Sequence, residues 1–314
     1  KMMFKINFRF LLSLFIVLVL VACKSNVKKV IYTDTSTSGE ISIAADESCS
    51  LLVDAEANAF QSAYKDAKLN IRYTSEVDAF RLLLADSVRM IVVSRKLSEE
   101  EKKNIIATRI TPDEVKVARD AIAFIVNKDN PLKQLTQKNV KEILSGKITK
   151  WNDLGGNGEI KVVFDNKNSS IVRYCRDSIL KGGTLFEKSY AMNDNPAVIK
   201  FVESDKNAIG IIGAGWISDS DDPSTQEFFN SIKVLSIMDA YEEKAFKPYQ
   251  AYLATGEYPY YRDIVMISKE PHTGLATGFM NYTRSDIGQT IVLKLGLLPI
   301  STPVRLVSLT NELN

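Results

Sequence analysis

From residue 41 onward, short apolar runs alternate with segments whose apolar residues recur every third or fourth position. "ISIAA" (41–45) alternates like a strand, and "LLVDAEANAFQSAYKDA" behind it keeps helical spacing. "LNIRYT" (69–74) with "EVDAFRLLLAD" repeats the pair, and "VRMIVVS" (88–94) with "LSEEEKKNIIA" repeats it again. Ser98 and Glu101 have the spacing of a capping box at the start of that last helix. Three strand–helix pairs in a row predict a parallel sheet with helices on its faces.

The pattern then changes. "VKVARDAIAFIVNKDNP" (115–131) is a long extended run broken by Arg119-Asp120 and stopped at Pro131. A run of that length can belong to two sheets, and it reads as a crossover between domains. A second set of elements follows. "LTQKNVKEILSGK" is a helix with Thr136 as N-cap and Gly146 just past its end. "GEIKVVF" is a strand that leads through Asn166-Lys167-Asn168-Ser169-Ser170 into the helix "SSIVRYCRDSILKGG". Asn195-Pro196 opens another helix, and "AIGIIGAGWI" (208–217) reads as a buried strand with three glycines. "IKVLSIM" is a further strand. "YPYYRDIVMIS" (258–268) is the second long extended run and reads as the return crossover. Two helices close the chain, "GLATGFMNYTR" and Ser285 to Leu295. The expectation is an α/β protein of two lobes: lobe I from 39–121 and 257–314, lobe II from 122–256. Two extended crossovers form the hinge, and no repeat of fixed period is visible.

The N-terminal residues stand outside this pattern. Lys1, Lys5 and Arg9 precede the apolar run "FLLSLFIVLVLVAC". Its roughly 14 residues fall short of the roughly 20 needed to span a bilayer. Residues 1–22 read as a signal peptide. Leu20-Val21-Ala22-Cys23 resembles a bacterial lipobox, which makes Cys23 the expected lipidation site. A plain secretory cut near Ala22, or a signal anchor, is the alternative. Residues 23–38, polar and rich in Ser and Thr, read as the lipidated tether.

Composition narrows the function. Forty basic against 38 acidic residues leave no basic excess of the kind a nucleic-acid binder shows. His272 is the single histidine, so a His-based triad would have to use it and a multi-His metal site is excluded. No cofactor is called for, and no nucleophile–base pair marks an enzyme. Cys49 and Cys175 could pair after export, but each reads better as a small buried apolar residue.

Ligands of open α/β sheets bind outside the carboxyl ends of strands, where helices begin. Those junctions here are "DESCS", "TSEVD", "SRKLS" and "NKNSS". A helix start offers unpaired N–H groups and a positive dipole end, and serine hydroxyls add donors. Ser48, Ser50, Ser94, Ser169 and Ser170 all sit at such points, and Arg95 adds a planar fork of donors suited to an oxyanion. Each serine alone could simply cap its helix. Glu76 and Glu47 would repel a fully ionised tetraoxyanion, but could accept a hydrogen bond from a protonated one. The alternatives for them are an exposed first-turn carboxylate that favours the helix dipole, or a salt bridge to Arg95.

At this point the sequence resembles the PstS-like family, the substrate-binding lipoproteins of phosphate ABC transporters. "VARDAIAFIVNKDNPLKQLTQKNVKEILSGKITKWNDLGG" (117–156) is the most specific match. "AIGIIGAGWI", "YPYYRDIVMI" and "FMNYTRSDIGQTIVLKLGLLPI" extend it, so that it covers about residues 39 to 305. The resemblance implies a two-lobed type II periplasmic binding protein fold with phosphate or a similar oxyanion between the lobes. It also implies delivery to an ABC permease of the inner membrane, and a monomer anchored through Cys23 on the periplasmic side of a bacterial membrane. Carried over by position, Ser48 and Cys49 match the first-loop pair, and Ser169 and Ser170 match a "GSGT"-like turn that reads "NSSI" here. With Glu76, Ser94, Arg95 and Asn168 these form the expected ligand set. Three positions depart from the family pattern. Arg95 falls where an acidic acceptor is usual, and Glu76 falls near a serine. Asp165 falls where an arginine precedes the turn, and Arg173 comes after it. A non-transport oxyanion sensor or scavenger, or a surface lipoprotein with an altered ligand, is the alternative reading.

Overall fold

The computed structural model describes residues 33–218, 231–241 and 243–301. The expected signal peptide, Cys23 and most of the tether lie outside the described residues.

Strand β1 (Gly39–Asp46) pairs in parallel with β2 (Ala67–Thr74) and with β3 (Met90–Val93). Helices α1 (Ser50–Ala63), α2 (Glu76–Leu84) and α3 (Glu99–Ala107) follow these strands in turn. The expected capping box is present: the Ser98 hydroxyl accepts from Glu101 N–H, and the Glu101 side chain accepts from Ser98 N–H.

The first long extended run is a single strand, β4 (Asp113–Asn127). It is followed by α4 (Gln137–Leu144), β5 (Lys161–Phe164), α5 (Ser170–Tyr174), α6 (Asn195–Ser204) and β6 (Ala208–Gly213). The return run is β7 (Tyr261–Ser268), and helices α7 (Leu275–Arg284) and α8 (Asp286–Lys294) follow it. Along β4, residues Asp113 to Ala121 pair with β7 and Ile122 to Val126 pair with β6. One strand thus serves two sets of partners, as its length predicts. Both crossovers run antiparallel to their neighbours, so the sheet is mixed rather than wholly parallel.

The apolar cores divide near the same places. Ala118 and Ile264 belong to a cluster with β1, α1 and α7, whereas Ala121 and Tyr260 belong to one with β5, α6 and β6. Phe60 anchors the first and Phe124 the second, each about fully buried and each contributing on the order of 1.5–3 kcal/mol by its burial.

The expected strand over 208–217 ends early. Beyond Gly213 the chain coils into a short 3₁₀ turn, Ala214–Ile217. A Cβ on Gly213 would stand 2.6 Å from the Asp120 carboxylate and 3.1 Å from the Arg262 guanidinium. The buried ion pair lies against the end of β6, and Gly215 N–H turns in to donate to Asp120 Oδ1 at 3.3 Å. The expected helix after Ser170 also departs from regularity, passing from α5 into a π turn at Cys175–Ile179.

Candidate functional site

Each crossover carries an Arg-Asp dipeptide, Arg119-Asp120 and Arg262-Asp263. Antiparallel register sets Arg262 opposite Asp120 and Asp263 opposite Arg119. Successive side chains of a strand point to opposite faces, so one pair must face inward and the other outward. Arg262 and Asp120 form the inward pair, 3.0 Å apart and almost wholly buried. Arg119 and Asp263 form the outward pair at 2.9 Å, with Arg119 lying over the Tyr261 ring.

The buried guanidinium meets two helix starts. Arg262 Nη1 donates to Ser48 Oγ at 2.8 Å and to Ser170 Oγ. Those hydroxyls lie 3.2 Å apart, one at the end of β1 and one at the first residue of α5. Asp46 closes the cluster. Its Oδ1 accepts from Ser48 N–H at 2.9 Å and from the Ser48 hydroxyl, and its Oδ2 accepts from Ser170 N–H at 3.0 Å. Since the Ser48 proton is given to Asp46, Ser170 is the donor between the two serines. Helix N-termini attract an anion, and here the Asp46 carboxylate takes that place at both. Burial works against the Arg262 charge, but the carboxylates of Asp120 foremost and of Asp46 hold it above its ordinary value.

A second cluster has the same logic. Glu76, 2% exposed, accepts from Ser94 N–H at 2.9 Å and from the Ser94 hydroxyl at 3.1 Å. Arg173, on α5, donates to Glu76 through Nε and reaches Ser94 O at 3.1 Å and Ser94 Oγ at 2.8 Å.

The structure thus brings Ser48, Ser169 and Ser170 to one buried point, and Glu76 with Ser94 to another. Three residues of the expected set stand elsewhere. Arg95 lies over the Phe80 ring and forks onto both oxygens of Glu101, at 2.7 and 2.8 Å. The capping carboxylate of α3 is the nearer anion, so Arg95 serves that helix start rather than the Ser48–Ser170 cluster. Asn168 is exposed in the turn before α5, its N–H donating to Asn166 Oδ1. Cys49 is buried beside α1 as an apolar side chain whose thiol burial pushes up, and both it and Cys175 are free. The salt bridge considered between Glu76 and Arg95 is made by Arg173 instead.

Asp46, Asp120 and Arg262 were not among the expected site residues. Their signal is nonetheless in the sequence: a charged residue inside an otherwise buried strand must be paired. Asp46 ends an apolar strand, and the two Arg-Asp dipeptides interrupt the two long extended runs.

Beside the serines lies a cavity of about 200 Å³ lined by Asp46, Glu47, Asp78, Asp165, Tyr73, Thr74, Ser75, Asn166, Ser169 and Asn193. Burial raises the Asp165 carboxyl to about 7, with the Asp46 charge adding to the effect. Burial likewise raises Glu47 to about 7, against a hydrogen bond from Asn195 Nδ2 at 2.9 Å.

Comparison with known proteins agrees with this architecture. The PBP superfamily domain model matches residues 31–286. The phosphate-binding protein PstS of Bacillus subtilis is 26% identical over 274 residues, covering 85% of this chain and 83% of the relative. PstS of Pseudomonas aeruginosa is 23% identical over 288 residues, 86% of each chain. Among solved structures, a candidate phosphate ABC transporter substrate-binding protein from Clostridium perfringens with bound phosphate superposes with a TM-score of 0.71 at 25% identity. That match covers 83% of this chain and all of the other. An ABC-type phosphate transport receptor from Vibrio cholerae gives a TM-score of 0.63 at 21% identity, over 83% of this chain and all of the receptor.

Proposed function

The chain belongs to the PBP superfamily and has the two-lobed type II periplasmic binding protein fold, and from that premise we propose that it captures phosphate or a related oxyanion between its lobes. The observation that carries this reading is Arg262. Its buried guanidinium donates at once to Ser48 and to Ser170, which open helical turns on opposite sides of the crossovers. Ser169 caps α5 beside them. The PstS relatives and the phosphate-bound solved relative support the same ligand class. In this proposal lobe I is 39–121 and 257–314 and lobe II is 122–256, a division that the separate apolar cores support. Glu76, Ser94 and Arg173 tie the lobes together when they close.

Hinge closure around the ligand would present it to an ABC permease. The chain is a non-enzymatic binding protein in this reading, exported by residues 1–22 and anchored through Cys23 on the periplasmic side of the membrane. One observation favours the second reading, an oxyanion sensor or scavenger with an altered ligand. The Asp46 carboxylate already accepts from the N–H groups of Ser48 and Ser170, and Glu76 from that of Ser94 in the turn after β3, which a phosphate would use.

Calorimetric titration of the purified protein with phosphate, arsenate and sulfate tests the proposal. Heat with phosphate is expected, with affinity weakened at least about tenfold in Ser170→Ala, the worth of one charge-assisted hydrogen bond. No heat with any of the three rejects the oxyanion assignment.

A further inference from the structure

The cavity beside the serine cluster has the wrong sign for an anion. Four carboxylates line it, those of Asp46, Glu47, Asp78 and Asp165, and among the described residues no Lys, Arg or His does, although Asp78 is paired with Arg81 at 2.8 Å beside it. Asp165 is the informative member. It is 1% exposed, its Oδ1 accepts from the Ser169 hydroxyl at 2.6 Å, and its Oδ2 is buried without a hydrogen-bond partner. A buried carboxyl oxygen without a hydrogen-bond partner is costly; without a ligand Asp165 answers by holding its proton, which a ligand cation would displace.

The spacing of the carboxylates says which kind of cation. Among the described residues, the one group of three metal-ligating side chains within 4.8 Å of one another is Asp34, Glu270 and His272, outside this cavity. The cavity carboxylates are therefore spread around a space of about 200 Å³ rather than gathered on a point. An ammonium group can take one carboxylate and turn its other N–H donors to neutral oxygens such as those of Ser75 and Asn193, whereas a bare divalent ion needs several oxygens gathered on it. Tyr73 adds an aromatic ring to the lining, and aromatic faces attract ammonium groups. The cavity borders the proposed oxyanion site through two shared neighbours, although Ser48, Ser170 and Arg262 do not themselves line it. Asp46 lines it and accepts from Ser170 N–H, and Ser169 lines it one residue before the Arg262 contact.

We infer that the ligand is a small zwitterion, with its oxyanion at Ser48, Ser170 and Arg262 and a primary ammonium group on a short spacer seated in this cavity against Asp165. The chemical class is a phosphate monoester or phosphonate of a short amine. The inference rests on the oxyanion reading above.

The test is titration of the purified protein with phosphoethanolamine, ethyl phosphate, inorganic phosphate and ethanolamine. Phosphoethanolamine binding at least about tenfold tighter than ethyl phosphate is expected, the size of one good ionic contact. Asp165→Asn and Asp78→Asn should each shrink that ratio toward one, with the variants' thermal melts showing that they fold. Ethyl phosphate or phosphate binding as tightly as phosphoethanolamine overturns the ammonium site and leaves the oxyanion reading standing. Ethanolamine binding while both phosphates fail removes the oxyanion reading and with it the zwitterion. Failure of all four ligands overturns both.

Discussion

Arg262 and Asp120 face one another across the antiparallel register of the two crossover strands, Nη2 to Oδ2 at 3.0 Å, with hardly any exposed surface on either side chain. The pair stands where the chain leaves one half of the molecule and returns to it. Its position follows from two local facts, the Arg-Asp dipeptide in each run and the two-residue period of a strand. Its consequence is a buried cation fixed beside Ser48 and Ser170, held by the backbone register rather than by a loop.

Removing one partner should therefore cost far more than removing both. Asp120→Ala leaves a buried guanidinium uncompensated and should lower stability by about 3–5 kcal/mol. Asp120→Leu combined with Arg262→Met replaces the pair with apolar side chains and should recover most of that loss while losing phosphate binding. Urea denaturation of the wild type, each single variant and the double variant measures the cycle. A double variant as unstable as Asp120→Ala would mean that the pair's contacts to Ser48 and Ser170, not its charge balance, hold this region.

Much of the fold was legible because it rests on periodicity. The strand–helix pairs, the capping box at Ser98 and Glu101, and both crossovers follow from spacing of apolar residues. The serines at the junctions were legible because a helix start constrains its first residues. What escaped is pairing at a distance. Arg95 looks like the oxyanion ligand along the chain, since it follows a strand directly. In space it finds Glu101 and the Phe80 ring first. Arg173 comes late in its helix, yet reaches Glu76 and Ser94. Which cation meets which anion depends on how the two halves face each other, and no local pattern carries that.

Asp46 offers a sharper test of the site. Asp46→Ala takes the acceptor away from Ser48 N–H, the Ser48 hydroxyl and Ser170 N–H. The ligand-free protein should lose about 1–3 kcal/mol, the cost of leaving buried donors unmet. Phosphate should bind more tightly than to the wild type, by about tenfold for each 1.4 kcal/mol of removed repulsion. Thermal melts with and without phosphate read both effects at once. Weaker phosphate binding in this variant would instead make Asp46 an acceptor for a protonated ligand oxygen, and the stand-in role assigned to its carboxylate would fall.

Among the described residues burial raises four carboxyls; Asp120 has Arg262 as its partner, and the other three make stability fall as pH rises. Burial raises Glu56 to about 8, and Glu47 and Asp165 each to about 7. Glu56 is wholly buried on α1, with the Thr283 hydroxyl beside it opposing the rise. Each group holds its proton in the folded state over a range where the unfolded chain has already released it. Their stabilising contribution is thus fully present below the ordinary carboxylate range, near pH 4, and is lost as pH rises through 7 to 8. The protein should lose on the order of a few kcal/mol between pH 5 and pH 8 from these groups together. Glu56→Gln separates one of them. The amide cannot ionise, so the variant should melt close to the wild type at pH 5 and above it at pH 8, by about 2–4 °C for each kcal/mol. Scanning calorimetry of both proteins at the two pH values checks this. A melting difference that stays the same at pH 5 and pH 8 would show that Glu56 does not change protonation on folding in that interval, and would leave Glu47 and Asp165 as the source of any slope.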